Sequence, residues 1–362
     1  MLSPYARREA VSDGVQGVLA GVPFFGAPRP GLVGIERLHG ALTNQSYKVT
    51  TDGGIYVLRL AGEGTYEYVD RSAEGHNARV AAATGVNADV LYFDAKIGTM
   101  LTRFVEGVSA EEVGFSRDAG ALSRATLALR RVHGLGTVFR LRFDVFARIS
   151  RYLDLLFELG MPPPEDYYEL EREAEAIRLA IEASPAPFAP CHNDPWPGNF
   201  LDTGERVYVI DWEYSGMNDP AWDLADLSVE AGLGPEHDRM MLEVYCGGPA
   251  PATLYSRLAL YKAMSDLHWA LWGFVQHANG NPAEDFWAYA LGRLEQCKRR
   301  VGGTDFGRHL SVLLTGHSSP LSDAPLRHPS ERSAPIRKVS ERPTRRNRER
   351  PGRVRPGPWR GN

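Results

Sequence analysis

Cysteine is scarce in this chain, with three among 362 residues, and the number is odd. Cys191, Cys246 and Cys297 share no metal-type spacing, so reduced thiols in a cytoplasmic setting are expected rather than a disulfide framework or a zinc site. No apolar run approaches the ~20 residues that a membrane span requires. The opening MLSPYARREAVSDG lacks the apolar stretch of a secretory leader. No internal repeat is evident. What remains is ordinary for a globular protein, 43% hydrophobic and 24% charged, with ample length for a core.

The net charge of −4 hides an asymmetry. Residues 316–362 hold 12 Lys/Arg against 4 Asp/Glu, and the rest of the chain holds 29 against 41. The body is acidic, so nucleic acid is not its expected partner. The tail is rich in Pro, Arg and Ser and poor in large apolar residues, and is expected to be disordered. Its charge suits an acidic surface, and an accidental or solubilising extension accounts for it equally well.

Four segments follow. Residues 1–30 form an N-terminal extension with a short helix near Ser12–Ala20 and a Pro/Gly-rich link. Residues 31–106 read as a β-rich lobe, with strands at Ile35–Leu38, Ser46–Thr50 and Ile55–Leu60, a turn at Asp52-Gly53-Gly54 and a hairpin over Val90–Phe104. One helix, in VDRSAEGHNARVAAATG, interrupts them. Residues 107–315 carry apolar residues at helical spacing over Ser116–His133, Val145–Leu159 and Tyr168–Ala183, and again from 230 to about Arg300. Residues 316–362 are the tail. His133, beside Gly134, is expected as a helix C-terminal cap.

The stretch PCHNDPWPGNFLDTGERVYVIDWEYSGMNDPAWDLADLSVE carries the chemistry. Asp194 precedes Asn199 by five positions, and Asp211 follows the β-rich run Val207–Ile210. Pro195, Pro197 and Gly198 hold the intervening backbone away from helix and strand. Magnesium takes oxygen ligands, usually one or two carboxylates plus substrate phosphates, and Asn199 with Asp211 supplies that set. In phosphoryl transfer an Asp orients the attacking hydroxyl while a later Asn and Asp hold the metal. Glu213 is a second metal ligand or helps orient the substrate. His192 is expected to organise the loop, Asp223 to brace it through backbone hydrogen bonds, and Cys191 to be a buried inert thiol.

HNDPWPGN followed by VYVIDWEYSGMNDPAWDLADLSVE resembles the choline/ethanolamine kinase family, within the larger group that includes aminoglycoside phosphotransferases. The resemblance runs from about Gly34 to Arg300. It implies an α+β, two-lobed, protein-kinase-like fold: a small antiparallel lobe, a larger helical lobe and a cleft between them. ATP and magnesium are the implied cofactors. The loop with Gly40, Thr43 and Asn44 would cover the phosphates, and Arg59, in YVLRL, would reach them while held by Glu74. The family's template for protein kinases has Lys at that strand position, but Arg keeps the charge and adds a fork. Asp70, Arg71 and Arg79 on the same helix are expected to be solvated. Thr102, Phe104 and Val105 would form the hinge against adenine.

On the acceptor side, Trp269 and Trp272 in HWALWGFVQ are similar to the family's tryptophan pair. With Tyr214, Tyr289 and Glu230 they would cage a quaternary ammonium, which aromatic faces attract by roughly 0.5–2 kcal/mol each. Aromatics at helical spacing are otherwise core, the reading adopted for Trp222, Phe274 and Trp287. One departure stands out: AGLGPEHD follows Glu230 where eukaryotic relatives continue with aromatics, so the pocket is expected to be more open or shaped for another amine. The implied acceptor is choline, with ethanolamine next. The alternatives are another amino-alcohol, thiamine or an aminoglycoside and, more distantly, an inactive kinase fold kept for binding.

Overall fold

Residues 45–51 alternate apolar and polar side chains, and an apolar-rich, β-prone run follows a tight turn at 52–54, which makes a hairpin. A computed structural model of the chain describes residues 14–25, 30–38, 44–62, 65 and 69–315. In it β1 (Leu32–Leu38), β2 (Gln45–Thr51), β3 (Gly54–Leu60), β4 (Val90–Asp94) and β5 (Thr99–Arg103) form one antiparallel sheet, ordered β1-β2-β3-β5-β4. Tyr47 faces Leu58 and Val49 faces Tyr56 across β2 and β3.

These side chains, with Leu101, bury one face of the sheet against Val15, Leu19 and Val22. Val15 and Leu19 lie four apart on a short helix, α1, at residues 14–20, while Phe24 and Phe25 pack edge-on against Tyr56. The segment read as an extension therefore completes the core of the small lobe. An apolar sheet face left open to water is unfavourable, and two apolar residues on one side of a helix cover it. α2 (Arg71–Ala83) begins at Asp70, whose side chain accepts the Ala73 N–H at 2.9 Å.

The chain leaves this lobe through residues 104–107. β6 (Val108–Ser109), α3 (Ala110–Val113), α4 (Ala119–His133), α5 (Val145–Glu158) and α6 (Asp166–Ala183) follow. Short strands come next: β7 (Ala189–Cys191), β8 (Phe200–Asp202), β9 (Val207–Val209) and β10 (Gly216–Asn218). The chain then continues through α7 (Pro220–Glu230), α8 (Pro235–Cys246), α9 (Ala252–Ala278), α10 (Phe286–Val301) and α11 (Phe306–Leu314). From Leu260 to Gln276 every residue of α9 is buried. A helix with no solvent side is the axis of its lobe, and α5, α7, α10 and α11 pack around it. The architecture is the two-lobed α+β arrangement expected from the sequence. Among the described residues no helix is long and apolar enough to cross a membrane. Residues 1–13, 39–43 and 316–362, on which several of the expectations fall, lie outside the described residues.

His268 lies within α9 without exposed surface, its ring against Phe143, Tyr152, Trp222 and Trp269. Burial, followed by the nearby Arg148 charge, holds its pKa well below the usual histidine value. His192 is also lowered, chiefly by burial. In the unfolded chain both protonate near the ordinary pKa of about 6.5, so below that pH the unfolded state binds more protons than the folded one. Their contribution is complete above that value and is lost as the pH falls through it. In urea unfolding the two histidines should each lower stability from pH 7 to pH 5 by up to about 1.4 kcal/mol per pH unit, against the opposite trend of the buried carboxyls whose pKa values are raised. His268→Phe should flatten that slope; an unchanged slope would refute the assignment.

Candidate active site

β8 and β9 pair Phe200 with Val209 and Asp202 with Val207. The ladder continues one step further, with the Ile210 N–H donating to the Asn199 carbonyl at 2.9 Å. Asn199 thus enters one strand where the other delivers Asp211, and the hairpin brings the two side chains to the same end. Local pairing alone explains that convergence.

The loop before Asn199 is gripped by α7. The two Asp223 oxygens accept the His192 and Asn193 N–H groups, each at 2.8 Å. Asn193 donates through Nδ2 to the Tyr214 carbonyl at 3.0 Å, and its Oδ1 accepts from Asn218 at 2.9 Å. Asn193 and Asp211 have φ values of 67° and 61°, the left-handed region that Asn and Asp tolerate better than bulkier residues. Strain of this kind persists where surrounding bonds fix it, and it clusters at functional sites. Gly198 is required for a different reason, since a Cβ there would stand 2.0 Å from the Trp196 ring. His192 bonds the Ile210 carbonyl at 2.9 Å and organises the loop as expected. Cys191 is buried, and burial raises its thiol pKa well above the usual range, as suits an inert thiol.

His133 departs from expectation in part. The Gly134 N–H caps α4, while the His133 ring is buried between Asp223 and the Tyr245 hydroxyl, 2.9 Å from each. His133 ends α4 as expected, but the cap itself is Gly134, and the ring's role is to support the brace.

The small lobe reaches the same place. Arg59, on the sheet face opposite Leu58, pairs with Glu74 and, at 2.7 Å, with Asp211. Arg71 corrects the expectation of a solvated residue. It is 3% exposed and donates to Glu74 at 2.8 Å and Glu213 at 3.0 Å. Two buried carboxylates need more than one arginine, and Arg71 is the second. Asp70 is an exposed cap and Arg79 is exposed, as read. Asn44 bridges the lobes through Nδ2, 3.1 Å from Glu213 and 3.4 Å from Asp211. Gly40 and Thr43 lie outside the described residues. Thr102 sits within β5, paired with Val57 and Val90. The Phe104 N–H is committed to the Ile55 carbonyl, and the Lys48 ammonium stands 4.4 Å from the Phe104 ring centroid. Val105 continues the connection beside the cleft.

Glu74, Asp211 and Glu213 hold carboxylate oxygens within 4.8 Å of one another. The Asn199 Nδ2 is spent on the Asp194 carbonyl at 3.0 Å, so its remaining ligand atom is the amide oxygen. An all-oxygen set of this kind fits a hard cation such as magnesium and not a soft one. Half-buried Asp194 stands next to this group. Burial, then the charges of Asp226, Asp211, Glu230 and Glu213, pushes its carboxyl well above the usual range. Burial and Asp211 also raise Glu213.

Beyond Asp194 the rings form a chain of edge contacts: Tyr214 to Trp269 at 5.8 Å, Trp269 to Trp272 at 5.6 Å and Trp272 to Tyr289 at 6.1 Å. The sequence placed these four together and the fold does the same. Trp222 and Phe274 are core, as read, whereas Trp287 is 38% exposed and corrects that reading. Glu230 has a partner that the sequence did not reveal, Arg293 of α10. Arg293 also reaches Asp266 at 3.4 Å and stands 5.2 Å from the Tyr289 ring centroid. These four residues border an open recess of about 630 Å³. Asp226 was missed altogether. It is buried, and Asp223, Asp226 and Glu230 lie at i, i+3 and i+7 on one side of a largely apolar helix, a stripe that sequence reading can detect.

Residues 34–261 match the model of the phosphotransferase enzyme family. The chain is 30% identical over 265 residues to protein LicA of Haemophilus influenzae, covering 70% of this chain and 96% of that one. It is 41% identical to a choline/ethanolamine kinase family protein from Mesorhizobium loti, with a TM-score of 0.73, covering 84% of this chain and 99% of the other. Choline kinase LicA from Streptococcus pneumoniae shares the fold at 24% identity and a TM-score of 0.67, with 82% and 99% of the two chains covered.

Because Asp223 carries the loop, Asp223→Asn should present an amide donor to a backbone N–H. Leaving buried partners unsatisfied costs about 1–3 kcal/mol, more where a charge is involved. Urea unfolding should register a loss of that size, and activity should fall further than the folded fraction does. Wild-type stability in the variant would overturn the brace.

Proposed function

The chain belongs to the phosphotransferase enzyme family, in its choline/ethanolamine kinase branch, and from that premise we propose that it transfers the γ-phosphoryl group of ATP to the hydroxyl of a small amino-alcohol, choline or ethanolamine. One observation carries the reading: Asp194, Asn199 and Asp211 converge at one end of a hairpin, beside a run of Tyr214, Trp269, Trp272 and Tyr289.

In this reading ATP lies between the lobes, its adenine along Thr102, Phe104 and Val105 and its phosphates under the loop of Gly40, Thr43 and Asn44. The Phe104 N–H is already bonded, so recognition there falls to the carbonyl and to the backbone beyond it. Arg59, fixed by Glu74, presents its guanidinium where negative charge collects. Asn199 and Asp211, with Glu213 beside them, would hold magnesium, which when bound offsets the charge of the phosphates. Asp194 orients the acceptor hydroxyl and takes its proton as the oxygen forms a bond to the γ-phosphorus. The bond from that phosphorus to the bridging oxygen breaks, and ADP leaves. The product is a phosphomonoester such as phosphocholine. Most of the acceleration would come from positioning and charge neutralisation. Tyr214, Trp269, Trp272 and Tyr289 enclose the cationic end of the acceptor on the Glu230 side of the cleft. Three free cysteines and the lack of a spanning helix among the described residues suit a cytoplasmic enzyme.

Release of ADP by the purified chain with magnesium, measured against choline, ethanolamine, thiamine and kanamycin, tests this directly. Turnover with choline or ethanolamine is expected, falling by roughly 10²–10⁴ in Asp194→Ala and to a comparable extent in Asp211→Asn. Turnover confined to thiamine or kanamycin would keep the phosphotransfer and overturn the acceptor.

A further inference from the structure

Two features of the acceptor side do not suit a quaternary ammonium. The first is Arg293, whose guanidinium pairs with Glu230 and faces the Tyr289 ring. Two elements of a cation cage, a carboxylate and an aromatic face, are thus already engaged by a protein cation. Asp266 is neutralised as well, by Arg293 and by Arg300 at 2.6 Å.

The second feature is Asp226. It has no exposed surface, and its Oδ1 accepts both from the Ser265 hydroxyl at 2.5 Å and from the Trp269 indole N–H at 2.8 Å. Its Oδ2 is buried and has no hydrogen-bond partner. An unsatisfied acceptor of this kind is unfavourable until a donor arrives. The donor must carry an N–H or O–H, because a trimethylated nitrogen offers none, whereas a primary ammonium offers three. The Asp226 carboxylate is held through Oδ1 by the indole of Trp269, itself in contact with Tyr214 and Trp272, and so stands beside the aromatic run. Burial, then the Glu230 charge, raises its carboxyl well above the usual range, as expected of a group still lacking its counter-charge.

We propose that Asp226, rather than Glu230, is the carboxylate that receives the acceptor's ammonium group, and that its unpartnered oxygen selects an amine bearing N–H over a quaternary one. The inference rests on the kinase reading for its setting and narrows the acceptor to the primary-amine, ethanolamine class. Arg293 contributes by occupying the Tyr289 face and Glu230, and Arg148, 4.9 Å from the Tyr214 ring centroid, occupies that face likewise, leaving a smaller cage bounded by Trp269 and Trp272.

The test is the series ethanolamine, N-methylethanolamine, N,N-dimethylethanolamine and choline, with kcat and KM measured separately for wild type, Asp226→Asn and Arg293→Met. In wild type kcat/KM should fall along the series, at least tenfold between its ends and mainly through KM. Asp226→Asn should lower kcat/KM for ethanolamine at least ten times more than for choline. Arg293→Met, which frees Glu230 and the Tyr289 face, should shift preference toward choline, so the proposal does not depend on one variant folding well. Choline preferred by wild type, or Asp226→Asn reducing all four acceptors by one factor, would overturn it while leaving the kinase reading intact. Binding of ethylammonium and tetramethylammonium, followed by tryptophan fluorescence, separates the two readings from the other side. Tighter ethylammonium binding that disappears in Asp226→Asn supports the cation site even if no acceptor is phosphorylated; equal affinities would overturn it.

Discussion

The grip of Asp223 on the backbone of His192 and Asn193 is the constraint from which the rest of the cleft follows. One buried carboxylate satisfies two adjacent N–H groups, and it is itself steadied by His133 from α4. Together with the Asn193 side-chain bonds to Tyr214 and Asn218, it holds Asn193 in its left-handed conformation. With it, the loop presents Asp194 at a fixed place and Asn199 enters β8 in register with β9. The left-handed Asp211 then completes a set of oxygens that no single element could supply.

The small lobe is fastened to that frame by charge. Glu74 lies between Arg59 and Arg71, Arg71 continues to Glu213, and Asn44 closes the path back to Asp211. Apart from the partly exposed Asp211, these groups are too deep for water to solvate them, so each depends on its neighbour. The arrangement couples strand β3, helix α2 and the β9 turn, elements far apart in the chain. The small sheet is thereby oriented by a handful of bonds, whereas the large lobe is oriented by the buried length of α9.

The sequence revealed what depends on neighbours in the chain. The hairpins, the one helix of the small lobe, the Asp194–Asn199–Asp211 spacing and the aromatic positions on α9 and α10 are local patterns, and each is present. It did not reveal what depends on distant partners. Arg71 read as solvated because Glu213 lies 142 positions away. Glu230 read as available because Arg293 lies 63 positions further on. The segment 14–25 read as an extension because the sheet it covers is formed later in the chain. Trp287 read as core because aromatic content does not say which side of a helix meets solvent. Asp226 differs from these, since the acidic stripe on α7 was visible; what the sequence withheld was that one oxygen of that residue goes unmatched.

α7 places Asp223 and Asp226 a single turn apart, at about 1.5 Å of rise per residue. One of these residues fixes the loop that carries Asp194, and the other presents its oxygen to the acceptor's amine. In the proposed reading the loop that carries Asp194 and the carboxylate of Asp226 thus hang from one rigid turn of helix, and the spacer between an acceptor's oxygen and its nitrogen is measured against that turn.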